Sequence, residues 1–333
     1  MNSMLDYKKT LMGFATIWLL FLHYYDQLYS EIHLPALTQI ASIGYVGVEI
    51  FLFLSGAGLY YSLCNNPDIK DFYTKRIVRT VIPWLLISFP YWILKTVIAD
   101  HESWGVFLMN LTGISFWTSN IHSVWYCAFI VLLYAVYPAV FKIQSKRYSI
   151  WPVMATVLAF NFYLFFLKSN YYRTIEIALT RIPVFLIGSY YAEQMKKRKS
   201  LTFFYRYGAL GTIFYILSFA IQLALDLETL CRRYFAGGFA VAVMLVIVYF
   251  WKKKSNKHEI LDFFGGISLE IYLISVLLRN IITRLEIGSN SGIFGKWLIV
   301  LTACTAIIIL SKIFSIFYTK VVNFMQVALK PSK

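Results

Sequence analysis

The sequence predicts an all-α, polytopic membrane protein with about ten transmembrane helices and both termini in the cytoplasm. Apolar residues make up 59% of the 333 residues, charged residues only 14%, and the mean hydropathy is +0.64. Ordinary soluble domains do not show this balance. The net charge is +15, but the basic residues fall in short clusters between apolar segments. This distribution is typical of membrane topology rather than of a nucleic-acid-binding protein.

Ten segments are apolar over the roughly 20 residues that a helix needs to cross a bilayer. They lie at residues 11–29, 43–63, 81–99, 122–141, 149–167, 176–194, 203–223, 234–251, 263–283 and 292–318. The connections between them are short, so we expect one membrane-embedded domain over residues 1–333 with no fused soluble domain. The first segment lacks a small-residue cleavage site and nine further spans follow it, which indicates an anchor rather than a signal peptide.

The distribution of lysine and arginine predicts the orientation of these spans. Of the 31 basic residues, 20 lie in the termini and in alternate connections, 5 in the other connections and 6 within the spans. Because positively charged loops stay in the cytoplasm, the richer set marks the cytoplasmic side and includes both termini.

The four cysteines lie far apart without metal-ligand spacing, so we expect neither a disulfide framework nor a metal site.

Three ionisable residues lie inside the predicted spans at similar depths. His23 is about six residues, or roughly 9 Å of helix, below the outer end of the first span. Glu49 has the same depth in the second span, and Arg181 lies about five residues below the outer face in the sixth. Because an ionisable group is costly in hydrocarbon, each is a candidate functional residue.

An imidazole and a carboxylate at one depth suggest acid–base chemistry on a hydroxyl group. The carboxylate of Glu49 would fix the tautomer of His23 and stabilise its charged form, and the imidazole would accept a proton from an attacking hydroxyl. Two alternatives stay open at this point. His23 could simply hydrogen-bond a neighbouring helix, and Arg181 could neutralise Glu49 in a buried ion pair without chemistry.

Several short motifs around these residues occur in a characteristic order along the chain. They are Gly13-Phe14-Ala15 before His23, Gly44-x-x-Gly47-Val48-Glu49-Ile50-Phe51 leading to Ser55-Gly56, Phe72 to Pro83 with its paired arginines, Trp125-Tyr126 with Tyr134 and Pro138, Arg181-Ile182-Pro183 to Gly188, and Gly266 to Leu273. Each motif alone is weak. The ordered set covers nearly the whole chain and resembles the acyltransferase-3 family of membrane O-acyltransferases.

The resemblance implies that an acyl group, usually acetyl, passes from cytoplasmic acyl-CoA to a hydroxyl of a carbohydrate at or beyond the outer face. His23 would be the essential histidine and Glu49 its acidic partner. Arg76 and Arg79, with Lys75 beside them, would recognise CoA. Arginine forks bind phosphate bidentately, and a spacing of three residues places two of them on one helical face. The alternative is that these residues only mark the cytoplasmic surface and contact anionic lipid.

The remaining predicted site residues concern the oxyanion and the acceptor. Arg181, Ser55 or Trp125 would donate a hydrogen bond to the developing oxyanion. Trp125 and Tyr126 lie near the outer end of a span, where a saccharide would arrive. Two positions depart from the family pattern. Met12 stands where a basic residue is common, and Ser275 stands where many members carry a second histidine.

The implied partners are a cell-surface polysaccharide or lipid-linked saccharide, membrane lipid, and a homo-oligomer or relay partner, with no nucleic acid. The implied location is a bacterial inner or plasma membrane. A transporter or flippase for a saccharide or other solute is the alternative, since ten spans with buried charges also describe that class. Transporter folds often contain internal repeats, however, and the two halves of this chain show no convincing one. A polysaccharide polymerase is a weaker possibility, because a large outer loop would be expected.

Overall fold

A computed structural model describes residues 4–28, 35–145, 149–167, 170–220, 228–253 and 258–328. Within these ranges all regular secondary structure is helical, as the sequence predicts. The α-helices are α1 (Lys8–Leu28), α2 (Pro35–Ser42), α3 (Val46–Asn65), α4 (Ile69–Arg76), α5 (Ile82–Trp92), α6 (Trp104–Leu111), α7 (Ile114–Thr118), α8 (Trp125–Ser145), α9 (Trp151–Phe166), α10 (Asn170–Leu179), α11 (Ile182–Lys196), α12 (Thr202–Ala220), α13 (Glu228–Lys253), α14 (Glu259–Gly266), α15 (Ser268–Arg284) and α16 (Ile293–Ala328). A 3₁₀ turn (Met4–Tyr7) precedes α1, and π-helical segments at Ile77–Val81 and Ile93–Ala99 flank α5.

Six helical stretches in the described residues are long and apolar enough to cross a membrane. They are Leu37–Asn65, Ile69–Ala99, Trp125–Ser145, Tyr171–Lys196, Arg232–Lys252 and Ile293–Met325. The bent pair α14 and α15 makes a seventh if it is one span. α9 is apolar but has only 16 residues, and α1 and α12 are not in this set. α1 has lysines at one end and polar residues at the other, which lowers its mean hydropathy.

Parts of the sequence prediction lie outside the described residues. These are the two chain ends, residue 29 of the first predicted span, residues 221–223 of the seventh, and the basic connections at 146–148 and 254–257. The structure therefore supports a protein with six or seven candidate membrane-spanning helices. The count of ten spans and the cytoplasmic placement of the termini stay predictions.

The chain divides into two compact units that alternate along the sequence. Unit 1 comprises Met1–Leu19, Ser42–Phe72 and Leu133–Gly266, and unit 2 comprises Leu20–Ala41, Tyr73–Leu132 and Ile267–Lys333. Because the chain passes several times from one unit to the other, no single cut in the sequence separates them.

In unit 1 the central packing is between α3 and α11, and α13 packs on both. Glycines allow the two backbones to touch. A Cβ on Gly56 would collide with the carbonyl oxygen of Phe185, and one on Gly188 would collide with that of Phe53. Small residues at helix crossings are the usual means of close approach between membrane helices. The small residues around Glu49 therefore set the distance between the two helices that carry the charges of this unit.

In unit 2 helix α15 packs against α16 and α5. α5 carries Pro83 in its first turn, where proline suits a helix because the first amide groups have no intrahelical acceptor. The π-helical segment before it places Val78 so that its carbonyl oxygen accepts a 2.6 Å hydrogen bond from the hydroxyl of Tyr318 on α16. The segment is thus tied to the last helix of the chain.

Candidate functional site

His23 lies in unit 2, near the end of α1, and its partner is a guanidinium. Nη1 of Arg279 on α15 is 2.7 Å from Nδ1 of His23. The neighbouring Tyr24 donates a 3.3 Å hydrogen bond to the carbonyl oxygen of Ser275, one helical turn before Arg279. Residues four apart lie on one face of a helix, so consecutive residues of α1 contact a single stripe of α15. This double contact holds the imidazole ring in place.

Arg279 is a candidate site residue that the sequence did not identify. Its only signal in the sequence is that it is one of the six basic residues within predicted spans, where an ionisable side chain is costly. It is 256 residues from His23 in the chain. Because helix packing alone brings them together, no local motif could connect them.

In unit 1, Glu49 and Arg181 form a buried ion pair. Nε of Arg181 lies 2.7 Å from Oε1 of Glu49, with the two side chains 4% and 1% exposed. Nη1 of Arg181 also donates a 2.6 Å hydrogen bond to the carbonyl oxygen of Ile177. The two charges therefore compensate each other in a site from which water is largely excluded. The pairing corresponds to the ion-pair alternative that the sequence left open for Arg181.

The local sequence explains why Arg181 reaches this position. It occupies the turn between α10 and α11, directly before Ile182-Pro183 at the start of α11. Proline in the first turn of a helix fixes the backbone where the helix begins.

A second ion pair in the same unit joins Nη1 of Arg233 on α13 to Oε1 of Glu176 on α10 at 3.1 Å. Unit 1 thus contains two carboxylate–guanidinium pairs, Glu49 with Arg181 and Glu176 with Arg233.

The remaining predicted acceptor and oxyanion residues are divided between the two units. Ser55 lies half-buried on α3, six residues after Glu49 on the same helix. Trp125 and Tyr126 are the first residues of α8 and are half-buried. The ring of Tyr126 meets that of Tyr272 on α15 edge to face, with centroids 5.6 Å apart. Tyr272 precedes Arg279 by two helical turns. Tyr126 therefore contacts the same helix, α15, that contacts His23.

The predicted CoA-binding residues lie where α4 passes into the first π-helical segment. Lys75 and Arg79 are exposed and Arg76 is half-buried. A π turn takes more residues than an α turn, so Arg79 is rotated relative to Arg76 more than a three-residue spacing in an α-helix predicts. π-helical turns are rare and often occur at functional sites. The sequence contains no signal for this change of helix type.

A cavity of about 520 Å³ opens in unit 2 between the end of α15 and the start of α16. Ile282, Thr283 and Glu286 line it from the α15 side, and Lys296 and Ile299 from α16. Ile282 and Thr283 follow Arg279 by three and four residues, which is the spacing of one helical face, whereas Glu286 lies beyond the end of α15 at Arg284. The cavity therefore lies along the face of α15 that carries Arg279, about one helical turn closer to the C-terminal end of the helix.

The chain matches the model of the acyltransferase family described as "Acyltransferase domain" over residues 10–316. This chain belongs to the acyltransferase-3 family. It is therefore a membrane acyltransferase that transfers groups other than aminoacyl groups. Neither a curated protein nor a solved structure matches the chain significantly. The match includes His23, Glu49, the arginine pair of the π-helical segment, and Arg279.

Proposed function

We propose that this acyltransferase moves an acetyl group from acetyl-CoA to a hydroxyl of a cell-surface or lipid-linked saccharide, with His23 as the group that handles the hydroxyl proton. The observation that supports it most directly is the position of His23. The ring is half-buried, held by Arg279 on a helix that also lines a cavity, in a chain of the acyltransferase-3 family. An imidazole can both accept and donate a proton at its ring nitrogens, which suits proton transfer.

The proposed reaction is a direct transfer assisted by the imidazole. The acceptor hydroxyl loses its proton to a ring nitrogen of His23 while its oxygen attacks the thioester carbonyl carbon. The new C–O bond forms, the C–S bond breaks, and the imidazolium returns the proton to the departing CoA thiolate. The covalent variant, in which the acyl group passes through the ring nitrogen, uses the same residue. Either route gives an ester and free CoA.

Arg76, Arg79 and Lys75 are the proposed contacts to the phosphates of the acyl donor. Two of these side chains are exposed and the third half-buried, so an incoming anion can reach them. Guanidinium groups bind phosphate with paired, charge-assisted hydrogen bonds. The π-helical segment spreads the two arginines around the helix, which suits a ligand with several separate phosphate groups.

The cavity at the end of α15 is the proposed approach route of the acceptor. Its rim carries carboxylate, amide, hydroxyl and ammonium groups over a floor of isoleucine and valine. A volume of this size is typical of small-molecule sites. Hydroxyl-rich saccharides need such mixed donors and acceptors, and the ring of Tyr272 on α15, with Tyr126 of α8 packed against it, is a further proposed contact. Trp125 beside them is a proposed contact or oxyanion donor.

Glu49, Arg181 and Ser55 are the proposed contributors from unit 1. Their value to catalysis would be electrostatic, because preorganised charges and donors in a dry site act strongly on a developing charge.

We also propose the finer topology that the charge pattern predicts. It has ten spans, with both termini on the cytoplasmic side of a bacterial inner or plasma membrane. This orientation would place Arg76 and Arg79 inside and His23 toward the outside.

The test is acyl transfer in membranes that contain the chain, with radiolabelled acetyl-CoA as the donor. Label should appear on the glycan fraction, and His23→Ala should reduce it by about 10²- to 10⁴-fold, the range for removal of a general acid–base group. His101→Asn is the matched control, since this histidine is exposed, has a positive φ of 53°, and asparagine tolerates that backbone conformation. Movement of a saccharide across the membrane without consumption of acetyl-CoA would contradict the proposed acetyl transfer and favour the transporter alternative.

A further inference from the structure

The contact between His23 and Arg279 joins two basic groups, which is an unusual way to hold a histidine. A guanidinium has five N–H donors and no acceptor, and it stays protonated in proteins. The nitrogen of His23 that faces it at 2.7 Å must therefore offer its lone pair. A doubly protonated ring has no lone pair to offer, so the contact selects the neutral imidazole.

The same contact also decides which nitrogen carries the proton. Because Nδ1 accepts from Arg279, the single proton of the neutral ring has to reside on Nε2. In many catalytic histidines the opposite holds, since a carboxylate or carbonyl accepts a hydrogen bond from Nδ1–H and leaves Nε2 free as the base. Here Nε2 is the donor, and Nδ1 is the nitrogen with the lone pair.

We propose that Arg279 is a positioning residue of the acyl-transfer site, which keeps His23 neutral and in the Nε2–H tautomer before substrate arrives. This inference rests on the proposed role of His23. The acceptor hydroxyl then replaces Arg279 at Nδ1 and gives its proton to that nitrogen.

The packing of α15 supports this exchange. Tyr24 and Ser275 hold the two helices together one turn away from Arg279, so the backbone need not move when the guanidinium leaves the ring. The cavity lies on the other side of Arg279 along the same stripe.

The first experiment reads the tautomer directly and needs no activity. The full-length chain, labelled with ¹⁵N-histidine and reconstituted in lipid bilayers, is examined by solid-state NMR. The chain has 5 histidines, and the His23→Gln variant identifies the signals of His23 by difference. We expect a non-protonated, hydrogen-bonded Nδ1 and a protonated Nε2. A protonated Nδ1 with a bare Nε2 in the wild-type chain would overturn the proposal.

The second experiment compares three variants of Arg279 in acetyl transfer from labelled acetyl-CoA. Lysine also only donates, so Arg279→Lys should keep the tautomer and remain within about 10-fold of the wild-type rate. Arg279→Gln offers both a donor and an acceptor, and Arg279→Met offers neither, so both should lose about 10²-fold in kcat with little change in the donor KM. This loss is smaller than the roughly 10⁴-fold cost of a wrong histidine tautomer in the serine-protease triad, because neither variant forces the ring into the opposite tautomer.

A double-variant comparison separates positioning from a merely structural role. If Arg279 acts through the ring, His23→Ala with Arg279→Gln should be no slower than His23→Ala alone. Additive losses, or equal losses in the lysine and glutamine variants, would contradict the proposal. Arg284→Gln is the matched control because it removes a guanidinium from the same helix that contacts Asp100 instead. Absence of transfer in the wild type would count against the proposed function, whereas the NMR result would still decide on Arg279.

Discussion

The two units hold their buried charges in opposite ways. In unit 1, Glu49 and Arg181 neutralise each other between helices whose backbones touch through glycines, and both side chains are almost completely buried. In unit 2, His23 meets the guanidinium of Arg279, and both side chains are only half-buried. The first arrangement satisfies its charges within the protein. The second brings two basic groups together and keeps them accessible.

This difference separates two tasks that a membrane enzyme has to combine. A carboxylate and a guanidinium in a dry, tightly packed site are stable only as a pair, because a single charge there would be very costly. An imidazole beside a guanidinium gains little stability from the contact. Such an arrangement is understandable where the ring has to exchange its partner for a substrate. We therefore expect stability to depend more on the ion pair of unit 1, and proton transfer to depend on His23 and Arg279 of unit 2.

The largest expected effect is on the unfolding free energy when the ion pair is broken. Arg181→Met leaves the buried carboxylate of Glu49 without its partner and should cost about 3–5 kcal/mol. Glu49→Leu with Arg181→Met removes both charges and should restore most of this loss. Arg279→Met should cost less, about 1.5 kcal/mol, which is the lower end of the range for a hydrogen bond with one charged partner, because this site is only half-buried. Unfolding in mixed micelles measures all three, and equal costs for Arg181→Met and Arg279→Met would end the contrast between the units.

The next effect concerns the glycine contact of unit 1. Gly188→Ala would push α11 away from the backbone of α3 at Phe53, and overpacking of this kind costs about 1–3 kcal/mol. Gly292→Ala in unit 2 is the matched control, since a Cβ there meets no atom within 4 Å. Thermal unfolding of the two variants in the same detergent should therefore differ clearly. Similar melting temperatures would show that α3 and α11 separate easily.

A smaller effect is expected at the donor-binding residues of unit 2. Arg76→Ala with Arg79→Ala should raise the apparent KM for acetyl-CoA by about 10-fold, because roughly 1.4 kcal/mol of phosphate binding corresponds to that factor. The kcat and the melting temperature should stay close to wild type, since Arg79 is exposed. Lys142→Ala, an exposed basic residue of unit 1, serves as the control. An unchanged donor KM would remove these arginines from the proposed site.

The smallest effect concerns a surface charge group of unit 2. Hydrogen bonds from Arg284 and Lys95 lower the pKa of Asp100 to about 2 from its usual 3.8. A depressed pKa means that the folded protein is stabilised above about pH 4, and that this contribution disappears as the pH falls toward 2. Asp100→Asn should therefore lower stability slightly at pH 7, and the difference should shrink toward zero as the pH falls through 2. A difference that stays constant from pH 7 to pH 2 would assign the effect of Asp100 to something other than its charge.

Much of the candidate site follows from the sequence because membrane burial restricts charge so strongly. The depths of His23, Glu49 and Arg181 identify them as candidates, and equal depth already allowed the Glu49–Arg181 pair. The depth of a residue does not say which way its side chain points around the helix axis. For this reason the contact between the Arg279 guanidinium and His23 was not predictable, although the sequence showed Arg279 as a charged residue within a span. The π-helical turn at Arg79 was not predictable either, because no local pattern signals it; in the structure Val78 of this turn accepts a hydrogen bond from Tyr318.

The order of apolar segments and short motifs along the chain was enough to establish an all-helical membrane acyltransferase. Hydrocarbon requires helices to satisfy their own backbone hydrogen bonds, and this requirement is written into composition and spacing. Tertiary structure alone decided which charged groups meet. Helix rotation and close packing place Arg181 on Glu49 and Arg279 on His23, and partners up to 256 residues apart leave no pattern in a single sequence.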